Sequence, residues 1–193
     1  MINFSTWEWI RASGLSAYFL LFLSVCFGLM QNINQIPRNI RNIFLLVHPA
    51  AGWLAFLFAF FHGFLLYFDD YQPFSIQEIF IPFLASYQPF FTGLGVIAFY
   101  SMFLIFVTTD LMKKIGRNIW KTIHFLILPS FILASIHGFF IGTDTDEIWG
   151  KNIYASTLFC FSLIAAFRFF SKITAKKQSQ SRVRKNVHSI SGR

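Results

Sequence analysis

The chain has 193 residues, of which 55% are hydrophobic and only 12% are charged, and its net charge is +8. An ordinary soluble domain is about one quarter charged, so this composition excludes a typical water-soluble protein. Half of the sixteen basic residues lie from Arg168 onward, and a basic tail beside a membrane favours anionic lipid over nucleic acid as its partner.

Five stretches contain no Asp, Glu, Lys or Arg, and each is near the roughly 20 residues that a helix needs to cross a bilayer. They cover residues 12–30, 43–68, 88–109, 122–142 and 152–167. The segment 71–87 is apolar in places, but Pro73 and Pro82 interrupt it. We therefore interpret it as an external interfacial segment, with a re-entrant segment or a sixth span as the alternative. The predicted fold is an all-α integral membrane protein, a bundle of five transmembrane helices or at most six.

The loops between these spans alternate in charge. Loops one and three carry Arg38, Arg41, Lys113, Lys114 and Arg117, whereas loops two and four carry Asp69, Asp70, Glu78, Asp144, Asp146 and Glu147. Because basic loops stay in the cytoplasm, we predict that the N-terminus lies outside the cell membrane and the C-terminus in the cytoplasm. We expect a membrane domain at residues 1–172 and a basic, disordered cytoplasmic tail at residues 173–193.

Four of the five histidines lie inside predicted spans, where an ionisable side chain is costly and usually functional. His48 and His62 lie on span two, and His124 and His137 lie on span four. The two histidines are 14 residues apart on span two and 13 residues apart on span four, so in each span they lie about 20 Å apart along the helix. Spans two and four run in the same direction, so we expect His48 to face His124 near the cytoplasm and His62 to face His137 near the outside.

Two axial imidazoles are the ligands of a six-coordinate b-type haem, so this arrangement predicts two haem b groups with iron bound by the four histidines. Zinc or copper would need ligands gathered at one level. On a straight helix, two side chains that are 14 residues apart point in directions about 40° apart, whereas two that are 13 residues apart point about 140° apart. We expect Pro129 to bend or rewind span four so that both of its histidines reach the haems, with a generic kink as the alternative.

Several other residues near the spans are candidates for holding the haems. Arg11, Arg117 and Lys121 could pair with haem propionates, with anchoring of the membrane topology as the alternative. Gly52 and Gly63, near the histidines of span two, could give a flat porphyrin close approach to the backbone.

Three segments carry a resemblance to a known family. They are WEWIRASGLSAYFLLFLSVCFGL, VHPAAGWLAFLFAFFHGFLLYFDDY and GRNIWKTIHFLILPSFILASIHGFFIGTD, the last two containing the histidines. Over residues 7 to about 170 the chain resembles the ferric reductase-like transmembrane domain family, the membrane part shared by NADPH oxidases and metalloreductases. In size it is similar to the haem-binding membrane subunit of a bacterial methionine sulfoxide reductase system.

The resemblance implies a two-haem electron-transfer pathway that carries single electrons from a cytoplasmic reduced flavin to an extracytoplasmic acceptor. Larger family members continue into FAD and NAD(P)H domains, whereas the residues after span five are too few for a nucleotide-binding fold and contain no G-x-G-x-x-G motif. We therefore expect an oxidoreductase subunit whose donor is a partner flavin reductase, carrying the flavin, or a quinol. The alternatives are a quinol-linked cytochrome b and a non-enzymatic haem-handling or scaffold membrane protein.

Overall fold

The computed structural model describes residues 5–31, 33 and 35–191, of which 175–191 are described by their backbone alone. All regular structure in these ranges is helical. In chain order the helices are α1 (Thr6–Met30), α2 (Arg38–Leu66), α3 (Ile76–Phe80), α4 (Pro89–Asp110), α5 (Met112–Ile115), α6 (Arg117–His124), α7 (Ile127–Ile141) and α8 (Ile148–Ser191), with a 3₁₀ turn at Thr143–Asp146.

Five helical segments in the described part of the chain are long and apolar enough to cross a membrane. They are α1, α2, α4, the combined segment Arg117–Ile141 and the first part of α8, Ile148–Thr174. The prediction of an all-α membrane protein with five such helices is therefore confirmed, and the segment 71–87 contains only the short helix α3. Large apolar side chains such as Leu46 and Phe159 are 74% and 64% exposed, so these outer faces contact lipid.

Local sequence explains where the first helices begin. At the start of α1, the Ser5 backbone N–H donates to the Glu8 carboxylate at 2.7 Å, and the Glu8 N–H donates to the Ser5 hydroxyl at 3.3 Å. This reciprocal capping box satisfies two N–H groups that have no partner within the helix. Pro37 precedes α2 and Pro89 is the first residue of α4, a position where the missing N–H costs nothing.

The bundle has two chemically distinct ends. We call the end with the loops after α2 and α7 the acidic end; it carries Asp69, Asp70, Glu78, Asp144 and Asp146. We call the other end the basic end; it carries Arg38, Arg41, Lys113, Lys114 and Arg117. The sidedness of the two ends in the cell stays a prediction.

The spans pack as two antiparallel pairs that face each other. Helix α1 packs against α2, helix α4 packs against α7, and α1 also contacts α7 and α8. Within the described residues, α2 and α7 make little or no close backbone contact with each other. A gap therefore separates α2 from α7.

Phe131 lies at the centre of the core that joins α1, α7 and α8. Its side chain is fully buried, with ring centroids 5.6 Å from Tyr18 and 5.1 Å from Phe161. Beside it, the Tyr18 hydroxyl lies 2.5 Å from the Thr157 hydroxyl and accepts a bond from the Ser135 hydroxyl at 3.3 Å. Buried hydroxyls that bond one another across helices avoid the cost of unpaired polar groups in hydrocarbon.

The backbone of α8 is helical through Ser191, and the expected disorder of the tail stays a prediction. Residues 175–191 contain no Gly or Pro and are rich in Lys, Gln and Arg, which have good helix propensity. A helix that has already formed in the membrane span extends without a new nucleation step. Residues 192 and 193 lie outside the described residues, and the boundary at residue 173 stays a prediction.

Glu78 organises the external segment between α2 and α4. Its carboxylate accepts bonds from the Ser75 N–H at 2.9 Å, from the Ser86 N–H at 2.8 Å and from the Ser86 hydroxyl at 2.6 Å. The bond from the Ser86 hydroxyl is the largest cause that lowers the pKa of Glu78 to about 2, followed by the backbone bonds.

The lowered pKa of Glu78 predicts how this segment responds to acid. Its stabilisation is fully present above the ordinary pKa of 4.5 and is lost as the pH falls toward about 2. In an NMR titration in detergent, the Ser86 amide resonance should therefore shift with a midpoint near pH 2. Glu78→Gln should abolish this shift, and Glu147→Gln should preserve it. A midpoint near pH 4.5 would contradict the predicted network.

Candidate functional site

The four span histidines form two pairs across the gap between α2 and the α6–α7 segment. The ring centroids of His48 and His124 are 5.9 Å apart with planes at 76°, and those of His62 and His137 are 6.4 Å apart with planes at 79°. Two imidazoles on opposite sides of one metal ion have centroids roughly 6 Å apart, given metal–nitrogen bonds of about 2 Å. The structure thus brings together the pairs expected from the sequence, at a spacing that admits one iron between each pair.

Backbone carbonyls hold three of these four imidazoles. The Nδ1 atom of His48 lies 2.8 Å from the Ser24 carbonyl oxygen, that of His62 lies 3.0 Å from the Ile10 carbonyl oxygen, and that of His137 lies 2.9 Å from the Phe91 carbonyl oxygen. A carbonyl can only accept, so each Nδ1 is the protonated nitrogen. The lone pair is then on Nε2, the arrangement typical of a metal-binding histidine whose outer nitrogen is held by a carbonyl.

His124 differs from the other three, because its buried Nδ1 has no hydrogen-bond partner within the described residues. It is the last residue of α6, and its ring lies 4.9 Å from that of Trp120. The helix breaks at Phe125 and Leu126, just before Pro129. There the Phe125 carbonyl accepts from the Leu128 N–H at 3.2 Å, because residue 129 has no N–H to offer. The distortion expected at Pro129 is therefore present.

A cavity of about 740 Å³ lies at the acidic-end pair. Its lining is mainly apolar, and His62, His137, Arg11 and Gly63 contribute to it. Cofactor sites of this size are commonly apolar with a few polar groups that fix orientation. The cavity, the facing imidazoles and the free Nε2 lone pairs together fit an iron porphyrin at this pair. Within the described residues, no three His, Cys, Asp or Glu side chains are arranged to hold a metal ion together.

The three candidate propionate residues occupy different settings. Arg11, which lines the cavity, makes an ion pair with the buried carboxylate of Asp144, and its guanidinium lies 4.2 Å from the ring centroid of Trp7. Its Nε atom is buried and has no partner within the described residues, so one donor is available to a ligand. Arg117 and Lys121 lie exposed on α6 at the basic end, before His124. Binding of propionates by any of the three stays a prediction.

The ion pair between Arg11 and Asp144 predicts a large loss of stability when the cation is removed. Arg11→Gln strands a carboxylate that is only 5% exposed. Losing one partner of a buried pair costs about 3 kcal/mol or more. Denaturant titration in detergent should therefore show this loss for Arg11→Gln and partial recovery in the double variant with Asp144→Asn. Arg38→Gln, at an exposed arginine, is the control and should change stability by less than about 0.5 kcal/mol. Equal losses for both arginines would contradict the prediction.

Comparison with known proteins identifies one family. The model of the family described as ferric reductase like transmembrane component matches residues 13–135. This range contains most of α1, all of α2 and α4, and three of the four span histidines, and it ends before His137. No curated protein and no solved structure matches the chain.

Proposed function

Because this chain belongs to the ferric reductase-like transmembrane component family, we propose that it is a two-haem b-type cytochrome that carries single electrons across the cell membrane. The family indicates a transmembrane electron-transfer role. In this proposal the basic end faces the cytoplasm and the acidic end faces outward, as expected from the preference of basic loops for the cytoplasm.

The observation that carries this proposal is the arrangement of four imidazoles as two facing pairs. The pairs lie 14 residues apart on the continuous helix α2, which corresponds to about 21 Å along its axis. That distance is most of the roughly 30 Å of hydrocarbon in a bilayer. Two redox centres at these levels would divide the crossing into short steps.

The residues of this chain would bind, orient and shield the cofactors. His48 and His124 would hold one haem at the basic end, and His62 and His137 the other at the acidic end. When held by two imidazoles, each haem would supply single-electron exchange at its iron. The apolar lining of the cavity would limit the access of water to the haem at the acidic end, and the carbonyl bonds at Nδ1 keep three rings in the ligating tautomer. Arg11 at one end, and Arg117 and Lys121 at the other, would pair with propionates.

We further propose that the electrons come from the reduced flavin of a partner reductase at the basic end and leave to an acceptor at the acidic end. The basic end offers Lys113, Lys114 and Arg117, which would attract an acidic protein surface. A quinol is the competing donor. Stopped-flow mixing with a reduced flavin reductase or with a reduced quinol would separate the two, since only the physiological donor should reduce the haems rapidly.

The first test is a reduced-minus-oxidised spectrum of the purified protein with a pyridine haemochrome assay of haem per chain. We expect two b-type haems per chain, reduced in sequence in a potentiometric titration. One haem would mean that one histidine pair is misassigned. No haem, after expression with ample haem, would overturn the proposal. Stable protein with readily emptied sites would instead favour a haem-handling role.

A further inference from the structure

Three of the histidine rings contact a neighbouring helix through the same pair of backbone features. In each case a backbone carbonyl of residue i accepts the Nδ1–H, and residue i+4 of the same helix is a glycine beside the ring. The pairs are Ile10 and Gly14 for His62, Ser24 and Gly28 for His48, and Phe91 and Gly95 for His137. We call each carbonyl–glycine pair an imidazole seat.

Helix geometry explains why the glycine falls four residues after the carbonyl. Side chains in an α-helix tilt toward its N-terminus, so the Cβ of residue i+4 lies beside the carbonyl of residue i. That carbonyl already accepts the N–H of residue i+4 but has a second lone pair. A side chain at residue i+4 would crowd this lone pair, whereas glycine leaves it open to a ring from another helix.

The approach of each ring to its glycine is close. A methyl group at Gly95 would lie 2.7 Å from the His137 ring, one at Gly28 would lie 3.0 Å from the His48 ring, and one at Gly14 would lie 3.1 Å from the His62 ring. All three distances are shorter than ordinary van der Waals contact, and only the one at Gly95 is so short that the ring or the helix must move. A methyl group would therefore push each ring away from its carbonyl, most strongly at Gly95.

A related contact on α2 supports this interpretation. The Ser24 hydroxyl donates to the His48 carbonyl at 2.9 Å, and a methyl group at Gly52, four residues after His48, would lie 3.2 Å from that hydroxyl. Here too a glycine at i+4 opens the carbonyl of residue i to a donor from the neighbouring helix. Between α1 and α2, His48 and Ser24 therefore each donate a hydrogen bond to the backbone carbonyl of the other.

We propose that the three imidazole seats are positioning elements that set the tautomer and the ring position of His48, His62 and His137 for iron binding. This inference rests on the proposed function. His124 has no partner at Nδ1 within the described residues, so the basic-end pair has one seat, that of His48, and the acidic-end pair has two. Gly28 and Gly95 are therefore positioning residues for different haems.

The test uses backgrounds that retain one haem each. His62→Ala should retain only the basic-end haem, and His48→Ala only the acidic-end haem. Gly28→Ala should weaken haem binding in the first background, and Gly95→Ala in the second, each by about tenfold or more, the usual effect of losing an outer-shell partner of a metal ligand. Each glycine variant should leave haem binding unchanged in the other background. Haem per chain and carbon monoxide binding to the reduced protein, which reports an opened axial position, are the readouts.

Ser101→Ala, on α4, is the control, because the Ser101 hydroxyl donates to the Ile97 carbonyl of its own helix and belongs to no imidazole seat. It should retain the basic-end haem and bind no carbon monoxide. The imidazole seats would be overturned if both glycine variants kept their haem unchanged. They would also be overturned if either glycine variant, in the otherwise wild-type chain, lost both haems. In either case, two haems in the wild-type protein would still uphold the proposed function. A wild-type protein without haem would overturn both.

Discussion

Replacing His62 with alanine should leave one haem per chain instead of two and should stop electron transfer through the membrane. His62 supplies one of the two imidazoles at the acidic end, where its ring lies 6.4 Å from that of His137. Loss of an outer-shell partner alone typically costs about 10- to 100-fold in metal affinity, so loss of the ligand itself should empty the site at ordinary haem concentrations. The basic-end pair lies about 21 Å away along α2, and its spectrum should be unchanged.

Proteoliposomes offer the sharpest measurement of this effect. With ferricyanide trapped inside and a membrane-impermeant reductant outside, the wild-type protein should reduce the trapped acceptor, and His62→Ala should do so no faster than vesicles without protein. His188→Ala is the matched control, since this histidine lies outside the five spans. Full transfer by His62→Ala would refute a path through both histidine pairs.

The sequence predicted the spans well because a bilayer imposes a simple rule. Each charge-free stretch matches one of the five membrane-length helical segments and extends past it by at most two residues at an end, since about 20 apolar residues are needed to cross hydrocarbon. The sequence also predicted that a proline would distort the helix of span four. The location of this distortion at Phe125 and Leu126, upstream of Pro129, follows from the proline ring, which clashes with the carbonyl four residues before it.

The partners of the histidines were harder to predict, because they lie on other helices. Ile10 and Ser24, like Gly14 and Gly28, are separated by the same 14 residues as the two histidines of α2, and this matched interval was an available signal. The seat of His137 on α4 has no such repeat. The positions of Gly52 and Gly63 near the histidines of α2 instead suggested these two residues for porphyrin contact. Gly63 does line the cavity, whereas Gly52 lies beside the Ser24 hydroxyl.

The partner of Arg11 could not be predicted from the sequence either. Asp144 is 133 residues away in the chain, and nothing local distinguishes it from the other acidic residues of its loop. Its burial follows from the packing of the turn after α7 against α8 and is visible only in the fold. Long-range ion pairs of this kind depend on tertiary structure, whereas spans and capping boxes depend on neighbouring residues.

Replacing Pro129 with alanine should cost the protein its basic-end haem. In a straight α-helix His124 and His137 would be offset by about 140°, whereas His48 and His62 are offset by about 40°. Around Phe125 the bonds run between residues three apart, from Leu126 to Ile123 and from Leu128 to Phe125. A 3₁₀ turn advances about 120° per residue instead of 100°, so roughly four such residues would reduce the offset to about 60°, close to that of α2.

Alanine at residue 129 restores an N–H for the Phe125 carbonyl and removes the clash, so α6 and α7 should merge into one regular helix. His124, which ends α6 and has no partner at Nδ1 to hold it in the described structure, should then rotate away from His48, while the carbonyl bond of His137 keeps the acidic-end pair in place. Haem per chain should fall from two toward one, with carbon monoxide binding at any residual basic-end haem. Pro49→Ala, in the continuous helix α2, is the control and should retain both haems. Two fully low-spin haems in Pro129→Ala would mean that packing against α4, and not the proline, sets the angle between the two histidines.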